Sequence, residues 1–277
     1  MFFFVSGFTL FLGQDIRFDN WYKKRLSRIY PSVLAAGIIS ATFLNSHGSF
    51  LYIALFQRYW FVWCILIYYV VLYPIKHYNF NTIKIFAATN ALVTFIYFTF
   101  YDFSSSGLIF GTNYFRWYMF FIFMLFGAIV GKTCSRDYKW YHLPMFVFSF
   151  LLWYVMAYTI GHSWWQILMI IPTLTLCYSL YKIGNSSFIQ MVMHTKLLGS
   201  AILAIASLCL ECYLIQFYVI TDNFNDIFPL NIPLIFILIF IAAATVRYFA
   251  EFIRQTIDSK PYNWAAFLPS KVFNINR

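Results

Sequence analysis

Apolar runs separated by short polar segments fill the chain, and their spacing predicts nine helices. The runs cover residues 1–13, 29–45, 59–75, 82–101, 115–131, 143–160, 163–181, 197–220 and 231–250. Most approach the roughly 20 residues that cross a hydrocarbon core about 30 Å thick. In lipid every backbone polar group has to be bonded within its own segment, and no strand-like alternation competes with the runs. The expected fold is therefore all-α, a polytopic membrane helical bundle of about nine transmembrane helices. It leaves a membrane domain over residues 1–254 and a cytoplasmic tail over 255–277. The tail holds Pro261 and Pro269 and reads as loose or surface-lying chain.

Composition strengthens this picture. Hydrophobic residues make up 62% of the 277, charged residues 10% and aromatic residues 24%, and the mean hydropathy is +0.72. A soluble domain carries about 25% charged residues. The net charge of +10 would fit a nucleic-acid binder, but the basic residues sit in short loops between apolar runs. That is the positive-inside pattern, with the lipid bilayer and its anionic headgroups as the partner and no role for nucleic acid.

Loop charges set an orientation. Of the 19 basic residues, only Arg58 and Arg116 fall in the alternate, outer set of loops. The rest cluster in the 14–28 loop (Arg17, Lys23, Lys24, Arg25, Arg28), in the loops near 76–84, 132–142 and 182–196, and from Arg247 to the C-terminus. So strong a bias places the 14–28 loop and the C-terminus in the cytoplasm. The first run then starts outside, at Met1. Its 13 residues span about 20 Å at about 1.5 Å per residue, short of the core thickness. It has neither a basic leader nor a cleavage site. The expectation is a further helix upstream, making the chain an N-terminally truncated form.

Candidate chemistry is sparse. Arg25 and Arg28, three residues apart, share one face of a helix that continues into the membrane at Pro31. Two guanidiniums so placed suit a phosphate-bearing ligand; equally, they suit a topogenic cluster resting on lipid phosphate. Glu211, in LCLECYLIQFYVI, is the one acidic residue well inside a run. It requires a partner or a water-filled cavity, as the organiser of a pocket or as a structural bond between helices. Arg116, beside Trp117 and Tyr118, either snorkels or binds an anion from outside. The five histidines lie in loops or at run edges without ligand spacing, so no metal site is expected. Cys209 and Cys212 read as small apolar residues of a helix rather than as a C-x-x-C site.

Several stretches resemble the acyltransferase 3 family, integral-membrane bacterial O-acyltransferases of sugars and peptidoglycan. FFFVSGF matches at Phe3, Phe4, Ser6, Gly7 and Phe8, and RLSRIYP at Arg25, Arg28 and Pro31. RYWFVWCILIYYVVLYP is similar at Trp60, Phe61, Tyr73 and Pro74. FIFMLFGAIVGK matches at Gly127 and Gly131, and SLCLECYLIQFYVI resembles a late span. The family has about ten spans with both ends cytoplasmic, which agrees with nine runs plus one upstream.

The resemblance implies transfer of an acyl group, usually acetyl, from cytoplasmic acyl-CoA (acetyl-CoA) as co-substrate to a hydroxyl of a cell-envelope or exported glycan. It implies residence in the bacterial inner membrane and no tightly bound cofactor. Arg25 and Arg28 become the expected donor-binding residues; Ser6 and Trp60 join Glu211 and Arg116 as expected pocket residues. The family's catalytic histidine belongs to the first span, here the expected upstream helix. Gln216 stands where the late span usually has histidine. A transporter or flippase of lipid-linked sugars is the alternative, although the inverted repeats and broken helices it calls for do not stand out. An inactive truncated remnant is a third reading.

Overall fold

The computed structural model describes residues 1–14, 16–43, 60–100, 115–135, 137–161, 163–258 and 261–268. Residues 44–59, Arg58 among them, residues 101–114, and residues 259–260 and 269–277 of the tail lie outside these residues. In order come α1 (Phe2–Leu12), α2 (Phe18–Phe43), α3 (Trp60–His77), α4 (Thr82–Phe100), α5 (Arg116–Thr133), α6 (His142–Ile160), α7 (Ile170–Gly184), α8 (Ser187–His194), α9 (Lys196–Ser207), α10 (Cys209–Val219) and α11 (Asn231–Ile257). No strand occurs among the described residues. The fold is all-α and polytopic. Among the described residues six helical stretches are long and apolar enough to cross a membrane: α3, α4, α5, α6, Trp164–Gly184 and α11. The nine expected runs all fall on helices, but α1 and α10 are short, and α2 carries the basic cluster in its first half.

The chain divides into two compact units, Met1–Ile16 with Ile67–Met191, and Arg17–Leu66 with Val192–Arg277. In the first unit α1 lies against α5 at backbone distance. A Cβ added to Gly7 would stand 1.9 Å from the Met124 carbonyl oxygen, and one added to Gly127 would stand 2.0 Å from that of Phe4. Gly131 is less tightly held, at 3.1 Å from the Phe8 carbonyl. The two glycine motifs of the sequence therefore form one reciprocal seam, the small-residue contact by which helices approach in lipid. Phe4, Leu10, Met124 and Leu125 are buried along α1 and α5.

The short α1 ends at Gly13, and its last carbonyls need donors. Lys76, in the last turn of α3, supplies them: its Nζ donates to the carbonyls of Leu10 (3.0 Å), Gly13 (2.5 Å) and Gln14 (3.3 Å). A cation at a helix C-terminus also opposes the helix dipole. A second cluster, Val93, Tyr97, Phe115, Met119, Ile122, Ile167 and Ile170, ties α4, α5 and the start of α7 together.

In the second unit α2, α10 and α11 pack against one another, and α9 joins α10. Two expectations are corrected here. The 14–28 segment is not a loop throughout: α2 begins at Phe18, so the basic cluster rides on a helix. Aromatic packing explains the early start. Phe18 stacks on Trp21 and Tyr22 at 6.5 and 5.7 Å, and Trp21 is 1% exposed. The helix continues through Pro31, which has no N–H to offer the Ser27 carbonyl. The run 197–220, expected as one helix, is two. Leu208 donates to Ile205, a tightened i→i−3 turn, while the Ser207 hydroxyl donates to the Ala204 carbonyl at 2.7 Å. Such serine bonds compete with the helical ladder.

Candidate functional site

Three helices of the second unit bring a buried charge pair together. Glu211, on α10, is completely buried. Its Oε1 accepts a hydrogen bond from the Ser32 hydroxyl of α2 at 2.7 Å and one from Arg247 Nη1 of α11 at 3.1 Å. The Arg247 side chain is 30% exposed. Glu211 Oε2 is buried without a hydrogen-bond partner among the described residues. Burying an isolated carboxylate is very costly, so Arg247 and Ser32 are what make this position tenable. The arrangement is lopsided, with one carboxylate oxygen taking both bonds.

The local sequence explains how the three side chains meet. Ser32 follows Pro31 on the face of α2 that buries Ile29, Val33 and Ala36. At about 100° per residue, Arg28 and Arg25 lie within roughly 40° of Ser32 on that helix, about 6 and 10 Å along its axis toward the N-terminus. The arginine stripe and the buried pair therefore belong to one side of α2. Arg25 is half-buried: its Nη1 donates to the Trp21 carbonyl at 3.0 Å, and its guanidinium lies 4.0 Å over the Trp21 ring. Stacking on tryptophan orients the group by about 0.5–2 kcal/mol. Arg28 is exposed. Near the end of α11, Arg254 is clamped by Glu251 through bonds of 2.9 and 2.6 Å.

Trp60, half-buried, opens α3 in the same unit, where the neighbouring Phe61 meets Tyr213 of α10 edge-on at 4.1 Å. Ser6 and Arg116 belong to the first unit. Ser6 is half-buried on α1, one residue from the glycine seam, and its carbonyl accepts the Thr9 hydroxyl at 3.2 Å. Arg116, half-buried, is the first residue of α5. Gln216 is half-buried on α10. Ser32 and Arg247 were not among the residues singled out from the sequence. Arg247 groups with the topogenic charges near the C-terminus, although it lies inside the 231–250 run. The same test that selects Glu211, an ionisable group within an apolar run, selects it too.

The family model described as an acyltransferase domain matches residues 1–250. The chain belongs to the acyltransferase 3 family, and it is a multi-pass membrane acyltransferase. No curated protein and no solved structure matches it. Every residue of the buried pair and of the arginine stripe lies within the matched segment.

Proposed function

We propose that the protein moves an acyl group, acetyl in the simplest case, from acyl-CoA on the cytoplasmic side to a hydroxyl of a cell-envelope or exported glycan in the bacterial inner membrane. The acceptor oxygen attacks the thioester carbonyl, the C–O ester bond forms, the C–S bond breaks, and CoA leaves as the thiol carrying the hydroxyl proton. Arg25 and Arg28 hold phosphates of the donor, and the C-terminus lies in the cytoplasm with them. One observation supports this reading above the others: both arginines stand a turn apart on one unbroken helix, with Arg25 fixed against Trp21. Two oriented guanidiniums at a helix entering the membrane suit a phosphate-rich ligand, and positioning lowers the barrier of a two-substrate reaction.

The test is radiolabelled acetyl-CoA supplied to proteoliposomes of the full chain with envelope glycans as acceptors. Label should appear in alkali-labile ester, and Arg25→Ala or Arg28→Ala should lower the rate about 10–100-fold, as expected for one charged hydrogen bond each. Full activity in both variants overturns the donor-site assignment. Movement of a lipid-linked sugar across the vesicle without acyl-CoA would replace acyl transfer with transport.

A further inference from the structure

We infer that Arg247 is a third donor-binding arginine, positioned by Glu211 and Ser32 to take a phosphate of acyl-CoA on the membrane side of Arg28. The inference rests on the acyl-CoA reading above and adds a residue that the family motifs quoted for this chain do not include.

The geometry of the pair points to a ligand. A bidentate ion pair engages two N–H groups along one edge of the guanidinium and both carboxylate oxygens. Here Arg247 makes a single protein hydrogen bond among the described residues, from Nη1 to Glu211 Oε1. Its Nε and Nη2 protons are left for a further acceptor, and the side chain is 30% exposed, open to one. Glu211 has no exposed surface and an idle Oε2. The single bond from Nη1 to Oε1 holds the guanidinium by one corner, while the Ser32 bond to the same oxygen fixes the carboxylate.

Placement narrows the ligand to an anion. Ser32 ties the pair to α2 about one turn beyond Arg28 on the same side of that helix. Arg254, the other arginine of α11, is ruled out because Glu251 takes both its Nε and its Nη2. A donor whose nucleotide end carries a diphosphate and a further ribose phosphate matches cationic groups spaced along one helix side. A phospholipid headgroup offers the same chemistry, so the experiment separates the two sources.

Equilibrium binding of CoA and of pantetheine, which lacks every phosphate, is measured on the full chain in phosphatidylcholine nanodiscs, with and without phosphatidylglycerol. Arg247→Lys keeps the charge and the partner to Glu211 but loses the forked edge, so it carries the test if Arg247→Met does not fold. The ratio of CoA to pantetheine affinity should fall about 10–100-fold in Arg247→Met and less in Arg247→Lys. In Glu211→Gln, which leaves an oxygen for Ser32, it should fall by an intermediate amount. In turnover assays the acetyl-CoA KM should rise more than kcat falls, the mark of lost binding rather than lost chemistry. An unchanged ratio, equal losses for CoA and pantetheine, or a contribution from Arg247 that vanishes once phosphatidylglycerol is added overturns the inference. CoA binding that depends on Arg28 but not on Arg247 overturns it while leaving the proposed function standing. Failure of the unsubstituted protein to bind CoA removes both.

Discussion

Arg247→Met, Glu211→Leu and the double variant form a thermodynamic cycle around the buried pair. Two unit charges about 4 Å apart interact by about 4 kcal/mol at an effective dielectric of about 20. The Arg247 side chain is 30% exposed and that of Glu211 is 0% exposed. Partial screening brings the expected coupling to about 2–3 kcal/mol. The single changes should be unequal. Arg247→Met strands a fully buried carboxylate whose remaining bond is to Ser32, which costs about 3–5 kcal/mol. Glu211→Leu leaves a guanidinium that is partly exposed rather than sealed in, and should cost about 1–2 kcal/mol. The double variant replaces ions with apolar volume and should cost less than Arg247→Met alone. Unfolding by SDS titration in mixed micelles, followed by tryptophan fluorescence and far-UV circular dichroism, gives the four free energies. Single costs that add within about 0.5 kcal/mol would show that the two residues are not energetically coupled, and would refute the pair as a link between α10 and α11.

The glycine seam makes a graded forecast. Gly7→Ala and Gly127→Ala each drive a methyl group into a carbonyl at about 2 Å and should cost about 3 kcal/mol or more. Gly131→Ala, with 3.1 Å available, should cost under about 1 kcal/mol, and thermal unfolding in detergent would rank the three. Gly184→Ala, with nothing within 4 Å, should stabilise by about 0.5 kcal/mol through helix propensity. Lys76→Met should release the end of α1, seen as faster amide exchange of the residues after Leu12 and a loss of about 1–3 kcal/mol.

Much of the architecture was legible because lipid leaves a chain few options. A run such as 143–160 has to be a helix, and α6 spans His142–Ile160. Boundaries set by packing were less legible. The polarity of residues 14–28 reads as a loop, yet Phe18 and Tyr22 flank a buried Trp21 that holds the segment helical. The break at Leu208 comes from one shortened backbone turn beside Ser207 within an unbroken apolar run, so hydropathy passes over it. For the site, Glu211 stood out as a charge where charge is costly. Ser32 did not, since a serine inside a helix carries no signal until its partner is known. Arg247 was hidden by its membership of a basic C-terminal set.

The sequence by itself determined that this is a multi-pass helical membrane protein, because local hydropathy decides what can sit in lipid. Its motifs were sufficient to recognise the family. It also selected Arg25, Arg28 and Glu211, since spacing on a helix and charge within an apolar run are local properties. Only the tertiary structure decided that Gly7 and Gly127, 120 residues apart, close one seam, and that the partners of Glu211 are Ser32 and Arg247. Those contacts join helices distant in the chain, and their register depends on how three surfaces fit together. No local pattern encodes such a fit, so the pairing became visible only when α2, α10 and α11 were seen packed.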